Sequence, residues 1–316
     1  KLNKSIQNYR DELEERRCCF LTQPRFIVIF IVLTLLTVTS CRKLVEIDEP
    51  ASSLISSKVF SSDATAQQAM AGVYYTMVNS FDPNLCTGGM TIYSGLSSDE
   101  FALYDVTNTT ILEFYQNDIN TSNSVLTRQL WNAPFYNIYS INAVIEGLQN
   151  SLSVSDSVKN ELLAEAKFTR AFINFYLINL FGPIPYLTST DWRKNSPLFR
   201  DEVSKIYELI ISDLKDAKAV LPNDYSVGKG ARIVPNRYAA SAMLARIYLY
   251  LKDWGNAERE ADEIINSSLY ELEPALNNVF MPNSKEAIWQ MQQDNTAYNL
   301  NATKEGWTVI PVIISD

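Results

Sequence analysis

Helical hydrophobic patterns follow one another through most of the chain. Apolar residues recur at intervals of three and four, as they do on the buried face of an amphipathic helix. The spacing predicts helices over residues 62–78, 131–148, 157–181, 203–221, 235–252 and 256–267. Gly182 and Pro183 are residues that typically end a helix, and they follow the predicted helix 157–181. Apolar and β-branched residues typical of a strand become prominent only at 307–314. We therefore expect a mainly α fold with little β structure.

The last predicted helix pair carries residues typical of a tetratricopeptide unit. Such a unit has a Leu-small-x-x-Tyr pattern on its first helix and an Ala on its second, and Leu244, Ala245, Tyr248 and Ala257 keep those spacings. Ala261 stands where the unit would have an aromatic residue. The pattern predicts tetratricopeptide-like helix pairs that form a superhelical scaffold, with these four side chains buried between two antiparallel helices.

Residues 81–129 show no sustained period and are rich in Asn, Thr, Ser and Tyr. Long irregular stretches of compact domains tend to carry function. Sugar rings present flat C–H faces, which binding loops meet with aromatic rings and polar side chains. We therefore expect ligand contacts from this stretch and from the loop that follows Pro185. The candidates are Tyr93, Asp99, Phe101, Tyr104, Tyr115, Asn117 and Trp192. The alternative for each ring is that it packs in a core or an interface.

Catalytic chemistry finds little support in the sequence. The chain has no histidine, and histidine is the commonest metal ligand and a frequent general base. Asp99 and Glu100 are the nearest approach to a carboxylate pair, but adjacent side chains point apart in a strand and do not share a helix face. We expect Asp99 to cap local structure and Arg170 to pair with a carboxylate inside the helix layer. No catalytic residue, metal or cofactor is predicted. A net charge of -9 without a long basic run also disfavours a nucleic-acid partner.

The first forty residues have the layout of a secretory signal peptide. Arg25 precedes an apolar stretch over 26–38, whose helix would span about 20 Å and fall short of a hydrocarbon core of about 30 Å. Val38-Thr39-Ser40-Cys41 resembles a bacterial lipobox. We expect residues 1–40 to be a signal peptide, although 1–24 are unusual for its head. Cys41 should then be acylated, and 41–57 should form a tether between the lipid and the body.

Five ordered segments resemble the SusD/RagB family of outer-membrane nutrient-binding lipoproteins of the Bacteroidetes. They are 41–50, 59–74, 131–142, 165–185 with its Glu-Ala-Lys-Phe-Thr-Arg-Ala run, and 238–265. Ala287-Ile288-Trp289-Gln290 resembles the opening of the family's C-terminal segment, which is then cut short. On this resemblance we expect 58–275 to be the N-terminal helical domain and 276–316 to be the start of a truncated C-terminal segment.

The resemblance implies a receptor without enzymatic activity, lipid-anchored in the outer membrane and exposed at the cell surface. Such proteins bind oligosaccharides, or in some members peptides, and deliver them to a SusC-like TonB-dependent transporter. Their ligand contacts come from variable loops, so only Cys41 carries over as a functional position.

Two other functions remain open. One is a helical-repeat adaptor lipoprotein of envelope assembly, which the aromatic-rich stretch 81–129 disfavours. The other is an α-helical glycoside hydrolase, which the lack of a carboxylate pair disfavours.

Overall fold

Helices make up most of residues 56–79, 82–293 and 303–309, the parts of the chain that this computed structural model describes. In chain order they are α1 (Ser56–Val59), α2 (Asp63–Val78), α3 (Met90–Ser97), α4 (Thr109–Tyr115), α5 (Ala133–Asn150), α6 (Asp156–Phe181), α7 (Trp192–Asn195), α8 (Val203–Val220), α9 (Arg237–Tyr250), α10 (Trp254–Ile265) and α11 (Lys304–Val309). Leu85–Gly89 and Val125–Asn132 are π-helical, and Leu276–Asn278 forms a 3-10 turn. In these described ranges β pairing is limited to one bridge, between Ile184 and Asp201. The predicted mainly α fold is confirmed.

Polar caps and one glycine set several of the ends of the long helices. The Ser62 side chain accepts a hydrogen bond from the Thr65 N–H at the start of α2, 3.3 Å away. Gly182, with a φ of +67°, ends α6 as predicted. Asn236 caps α9 and Asp253 caps α10. These two caps explain why α9 begins two residues later, and α10 two residues earlier, than the hydrophobic period predicts.

The described part of the stretch 81–129, residues 82–129, is more helical than predicted. It contains α3, α4 and most of the two π-helical turns. The Asn84 side chain accepts from the N–H groups of Cys86 and Thr87, at 2.8 and 3.1 Å. Asn108 accepts likewise from Ile111 at the start of α4. Asparagines that are typical of loops therefore cap helices here, and these helices are too short for a sustained period to show.

The apolar, β-branched residues 307–314 predict a strand, but the described part of this segment is not a strand. Residues 307–309 belong to α11, and 310–314 lie outside the described residues. α11 packs against Gly88, where a Cβ atom would lie 2.5 Å from the Cβ of Glu305. Gly88 also has a φ of +92°. Both the backbone conformation and the close approach of α11 therefore favour glycine at this position.

Each long helix packs chiefly on its neighbours in the chain. α2 lies against α5, α5 against α6, α6 against α8, α8 against α9, and α9 against α10. One large core runs through this stack, and a smaller cluster around Tyr93 and Phe114 lies between α3 and α4. All described residues belong to one compact unit.

α9 and α10 form the predicted tetratricopeptide-like pair. Leu244, Tyr248 and Ala257 are buried as predicted. Ala245 is only half-buried, which corrects its predicted position between the helices. It lies about 100° around α9 from Leu244, at the edge of the helix contact.

The segment after α10 returns to the beginning of the stack. The Trp289 ring lies against the rings of Tyr74, Phe168 and Phe172, with centroid distances of 6.1, 5.2 and 5.4 Å. Its indole N–H donates to the carbonyl oxygen of Ile233 at 3.1 Å. This side chain therefore joins α2 and α6 to the loop before α9. The predicted boundary between residues 275 and 276 stays a prediction.

Candidate functional site

Of the predicted ligand-binding rings, Tyr93 is buried and Phe101 is half-buried. Tyr93 on α3 is buried, with its ring centroid 5.1 Å from that of Phe114, and its hydroxyl donates to the carbonyl oxygen of Pro83 at 3.2 Å. Phe101 covers Gly95, where a Cβ atom would lie 2.5 Å from the ring. Both rings therefore stabilise the cluster between α3 and α4, in line with the alternative stated for each aromatic candidate.

Asp99 and Asn117 occupy turns at the ends of short helices. Both adopt left-handed backbone conformations, with φ values of 62° and 55°. Asp99 follows the end of α3, which it terminates through its backbone conformation. The Asn117 side chain donates to the carbonyl oxygen of Ser97 at 3.0 Å, which connects the end of α4 to the end of α3. Both residues thus belong to the turns that end α3 and α4.

Three predicted aromatic candidates remain accessible to a ligand. Tyr104, in the loop between α3 and α4, has 79% of its surface exposed, and Tyr115 at the end of α4 has 39%. Trp192 is 70% exposed at the first position of α7. The first two belong to the same helix pair, whereas Trp192 belongs to the loop between α6 and α8.

The loop that carries Trp192 has internal hydrogen bonds of its own. The Asp191 carboxylate accepts from the N–H of Arg193 at 3.0 Å and so caps the short helix α7. The Asn195 side chain donates to the carbonyl oxygen of Ser189 at 2.7 Å. The indole is therefore exposed while the backbone on both sides of it is fixed.

A buried network of charged and polar side chains joins α5, α6 and α8 to the start of this loop. The Arg170 guanidinium donates to the carboxylate of Asp213 through Nε and Nη2, at 2.8 and 2.9 Å, and to Asn142 Oδ1 through Nη1 at 2.9 Å. The Tyr186 hydroxyl donates to Asp213 Oδ2 at 2.7 Å. Burial and the negative charge of Asp213 raise the pKa of Tyr186 far above its ordinary value, so this hydroxyl remains a donor. The predicted pairing of Arg170 with a carboxylate of the helix layer is confirmed.

Glu165 is a buried carboxyl group that the sequence analysis did not single out. It lies on α6, and the Tyr74 hydroxyl donates to its Oε2 at 3.0 Å. Burial raises the pKa of Glu165 to about 8 and the charge of Glu161 adds to this, against the opposing effect of the Tyr74 hydrogen bond. Its position between buried apolar residues of the same helix, such as Leu162 and Ala166, is the sequence signal that could have indicated it.

The part of the chain that the structure describes has neither a metal site nor a helix that could cross a membrane. It contains no group of three or more His, Cys, Asp or Glu side chains arranged to hold a metal ion. None of its helices combines the length and the apolar character needed to cross a bilayer. Cys41 lies outside the described residues. Of the tether expected at 41–57, the structure describes only residues 56 and 57.

Comparison with known proteins gives consistent matches. Residues 49–249 match a SusD-like protein family described as starch-binding and associating with the outer membrane. The chain is 29% identical over 272 residues to SusD-like protein P2 of Formosa agariphila, an alignment covering 84% of this chain and 51% of that protein. It therefore spans about half the length of the curated relatives it matches.

Solved structures show the same fold. A SusD-like carbohydrate-binding protein of Bacteroides fragilis superposes with a TM-score of 0.64 at 20% identity, over 79% of this chain and 52% of that one. A laminarin-binding SusD-like protein superposes with a TM-score of 0.58 at 21% identity, over 66% of this chain and 46% of that one.

Proposed function

The chain belongs to the SusD-like family of carbohydrate-binding, outer-membrane-associated proteins, and we propose that it binds an oligosaccharide and performs no chemistry on it. The observation that carries this proposal is the family match over residues 49–249. The exposed rings of Tyr104, Tyr115 and Trp192 provide surfaces on which sugars can stack.

A glycan is a better fit than a peptide on two grounds. One solved relative of the same fold binds laminarin. The accessible candidates are isolated rings next to polar turns, which suit the alternating C–H faces and hydroxyl edges of a sugar chain. Stacking on a few rings at a shallow site, offset by the entropy lost on ordering the ligand, gives an expected affinity on the order of micromolar to millimolar.

The proposal extends to how the protein is placed in the cell. Acylation at Cys41 would hold it on the outer membrane, because several acyl chains together give stable anchoring. The family's description as outer-membrane-associated supports this location. Delivery of the bound sugar to a SusC-like TonB-dependent transporter, from an exposed position at the cell surface, follows from the family resemblance.

Calorimetric titration of the full chain with a panel of laminarin, starch and other oligosaccharides tests the proposal, with a peptide panel beside it. Trp192→Ala and Tyr104→Ala should weaken binding without changing the melting temperature. Trp254→Ala is the matched control, because Trp254 is also the first residue of a helix and is 59% exposed. Binding should be unaffected by that change.

Two results would contradict the proposal. Release of reducing sugar from any glycan would favour the hydrolase. Absence of binding on both panels, together with co-purification of an envelope-assembly protein, would favour the adaptor.

A further inference from the structure

We propose that Glu146 is a positioning residue that holds the loop of Trp192 in the conformation used for ligand binding. The inference rests on the proposed function, since it assumes that Trp192 contacts the sugar. Glu146 lies on α5 and Trp192 lies on α7, so nothing in the local sequence connects them.

The Glu146 carboxylate accepts three hydrogen bonds from the loop. The Ser189 hydroxyl and the Thr190 N–H both donate to Oε1, at 2.8 and 3.0 Å. The Thr190 hydroxyl donates to Oε2 at close range. These donors stand two and three residues before Trp192 in the chain. One carboxylate therefore fixes the backbone immediately before the exposed indole.

α5 contributes a second attachment one turn earlier. The Asn142 side chain donates to the carbonyl oxygen of Leu187 at 2.9 Å. Asn142 is itself held by the buried Arg170 guanidinium. The loop is thus tied to α5 through Leu187 and again through Ser189 and Thr190. Trp192 follows Thr190 by two residues and is exposed to solvent.

The charge state of Glu146 suits this role. Partial burial alone would raise the pKa of its carboxyl group, but the hydrogen bonds from Thr190 and Ser189 and the charge of Lys194 outweigh that effect and lower it. The group is therefore ionised at neutral pH. An ionised carboxylate accepts all three hydrogen bonds, whereas a glutamine side chain has one acceptor oxygen.

The consequence for binding is a smaller entropic cost. A ring on a mobile loop must be ordered when the sugar stacks on it, and ordering one side chain weakens binding by roughly three- to tenfold. A ring whose backbone is already fixed by folding avoids most of this cost.

The test combines hydrogen exchange with laminarin titration of the full chain. Glu146→Gln should speed amide exchange over residues 187–196 at least about tenfold, while exchange within α6 and α8 stays unchanged. Laminarin affinity should fall about three- to tenfold. In the double variant with Trp192→Ala, the Glu146→Gln change should have no additional effect on affinity. Glu208→Gln is the matched control, because Glu208 is an exposed carboxylate that pairs with Lys205 on its own helix.

The outcomes separate this inference from the proposed function. If Trp192→Ala weakens laminarin binding but Glu146→Gln leaves affinity or loop exchange as in the wild type, the positioning role of Glu146 is wrong and the proposed function stands. If Trp192→Ala binds laminarin as the wild type does, Trp192 is not the binding ring and the inference fails with it. If the wild type binds no laminarin, the inference fails as stated for this ligand, whereas the other glycans of the panel decide the proposed function. A general loss of protection throughout α5 and α6 in Glu146→Gln would show that the residue only supports the fold, which also overturns the proposal.

Discussion

Arg170 on α6 and Asp213 on α8 are joined by two parallel hydrogen bonds of 2.8 and 2.9 Å. Their side chains retain only 8% and 10% of their exposed surface. A buried ion pair adds little net stability over an apolar pair of similar size, but loss of one partner leaves an uncompensated charge in the interior. Substitution of either Arg170 or Asp213 alone should therefore lower the stability of the fold.

Asp213→Asn should lower the free energy of unfolding by about 3–5 kcal/mol, because the guanidinium then lacks a buried countercharge. Denaturant unfolding followed by circular dichroism measures the change. In the control Glu208→Gln, which breaks the exposed pair with Lys205, the change should be below about 1 kcal/mol. A similar small loss in Asp213→Asn would show that the buried pair is not needed.

Glu165 should make the protein less stable as the pH rises. Its pKa is about 8 in the folded protein against an ordinary value of 4.5, so the folded state keeps a proton that the unfolded state has released. Stability is then fully present below about pH 4.5 and is lost as the pH rises toward about 8. Glu165→Gln removes the titrating group and should flatten this slope. Urea unfolding at several pH values between about 5 and 9 provides the measurement, and parallel curves for the two proteins would refute it.

Leu244 tests the tetratricopeptide-like pair. It is fully buried, whereas Leu249 on the same helix is 53% exposed. Leu244→Ala should cost about 2–5 kcal/mol through lost burial and the cavity it leaves. Leu249→Ala should cost less than about 1 kcal/mol. Equal unfolding midpoints for the two variants would contradict the packing of α9 against α10.

Gly88 tests the position of α11. Gly88→Ala places a Cβ atom against Glu305 and strains a left-handed backbone, so α11 should move away from the 85–89 turn. Amide exchange over residues 304–309 should become faster. Gly72→Ala is the control, because nothing lies within 4 Å of its Cβ position inside α2, and it should be neutral or stabilising by up to about 1 kcal/mol. Unchanged exchange in Gly88→Ala would show that α11 tolerates the added methyl group.

Cys41 is predicted to be the acylated first residue of the mature protein. Cys41→Ala should accumulate as an unprocessed precursor that labelled palmitate does not mark, whereas Cys86→Ala should be processed and labelled normally. Gel mobility and incorporation of the label report both steps. Labelling of Cys41→Ala at the wild-type level would exclude this cysteine as the lipid site.

The long helices could be predicted from the sequence because their apolar period extends over many turns. Their ends depend on single polar residues, and the hydrophobic period does not show that Asn236 and Asp253 serve as the caps. The same limit applies at 81–129, because the capped helices there are too short to show a hydrophobic period in the sequence.

The candidate site was less predictable because burial depends on distant partners. Tyr93 and Trp192 are both aromatic residues near turns, but Phe114 packs on the first, whereas the second is 70% exposed. The contact of Glu146 with Ser189 joins residues 43 positions apart. A single sequence contains no local pattern for such a pair.

Trp289 affects how the helix stack should unfold. In an open helical repeat each unit touches only its neighbours, so the last unit can unravel while the others stay folded. In this protein the chain beyond α10 inserts an indole between rings of α2 and α6. Unravelling from the C-terminal side would therefore remove the Trp289 ring from Tyr74 on α2, the first long helix of the stack. Fraying of the last pair and loss of the first are thereby linked, and the helices should melt in one cooperative transition.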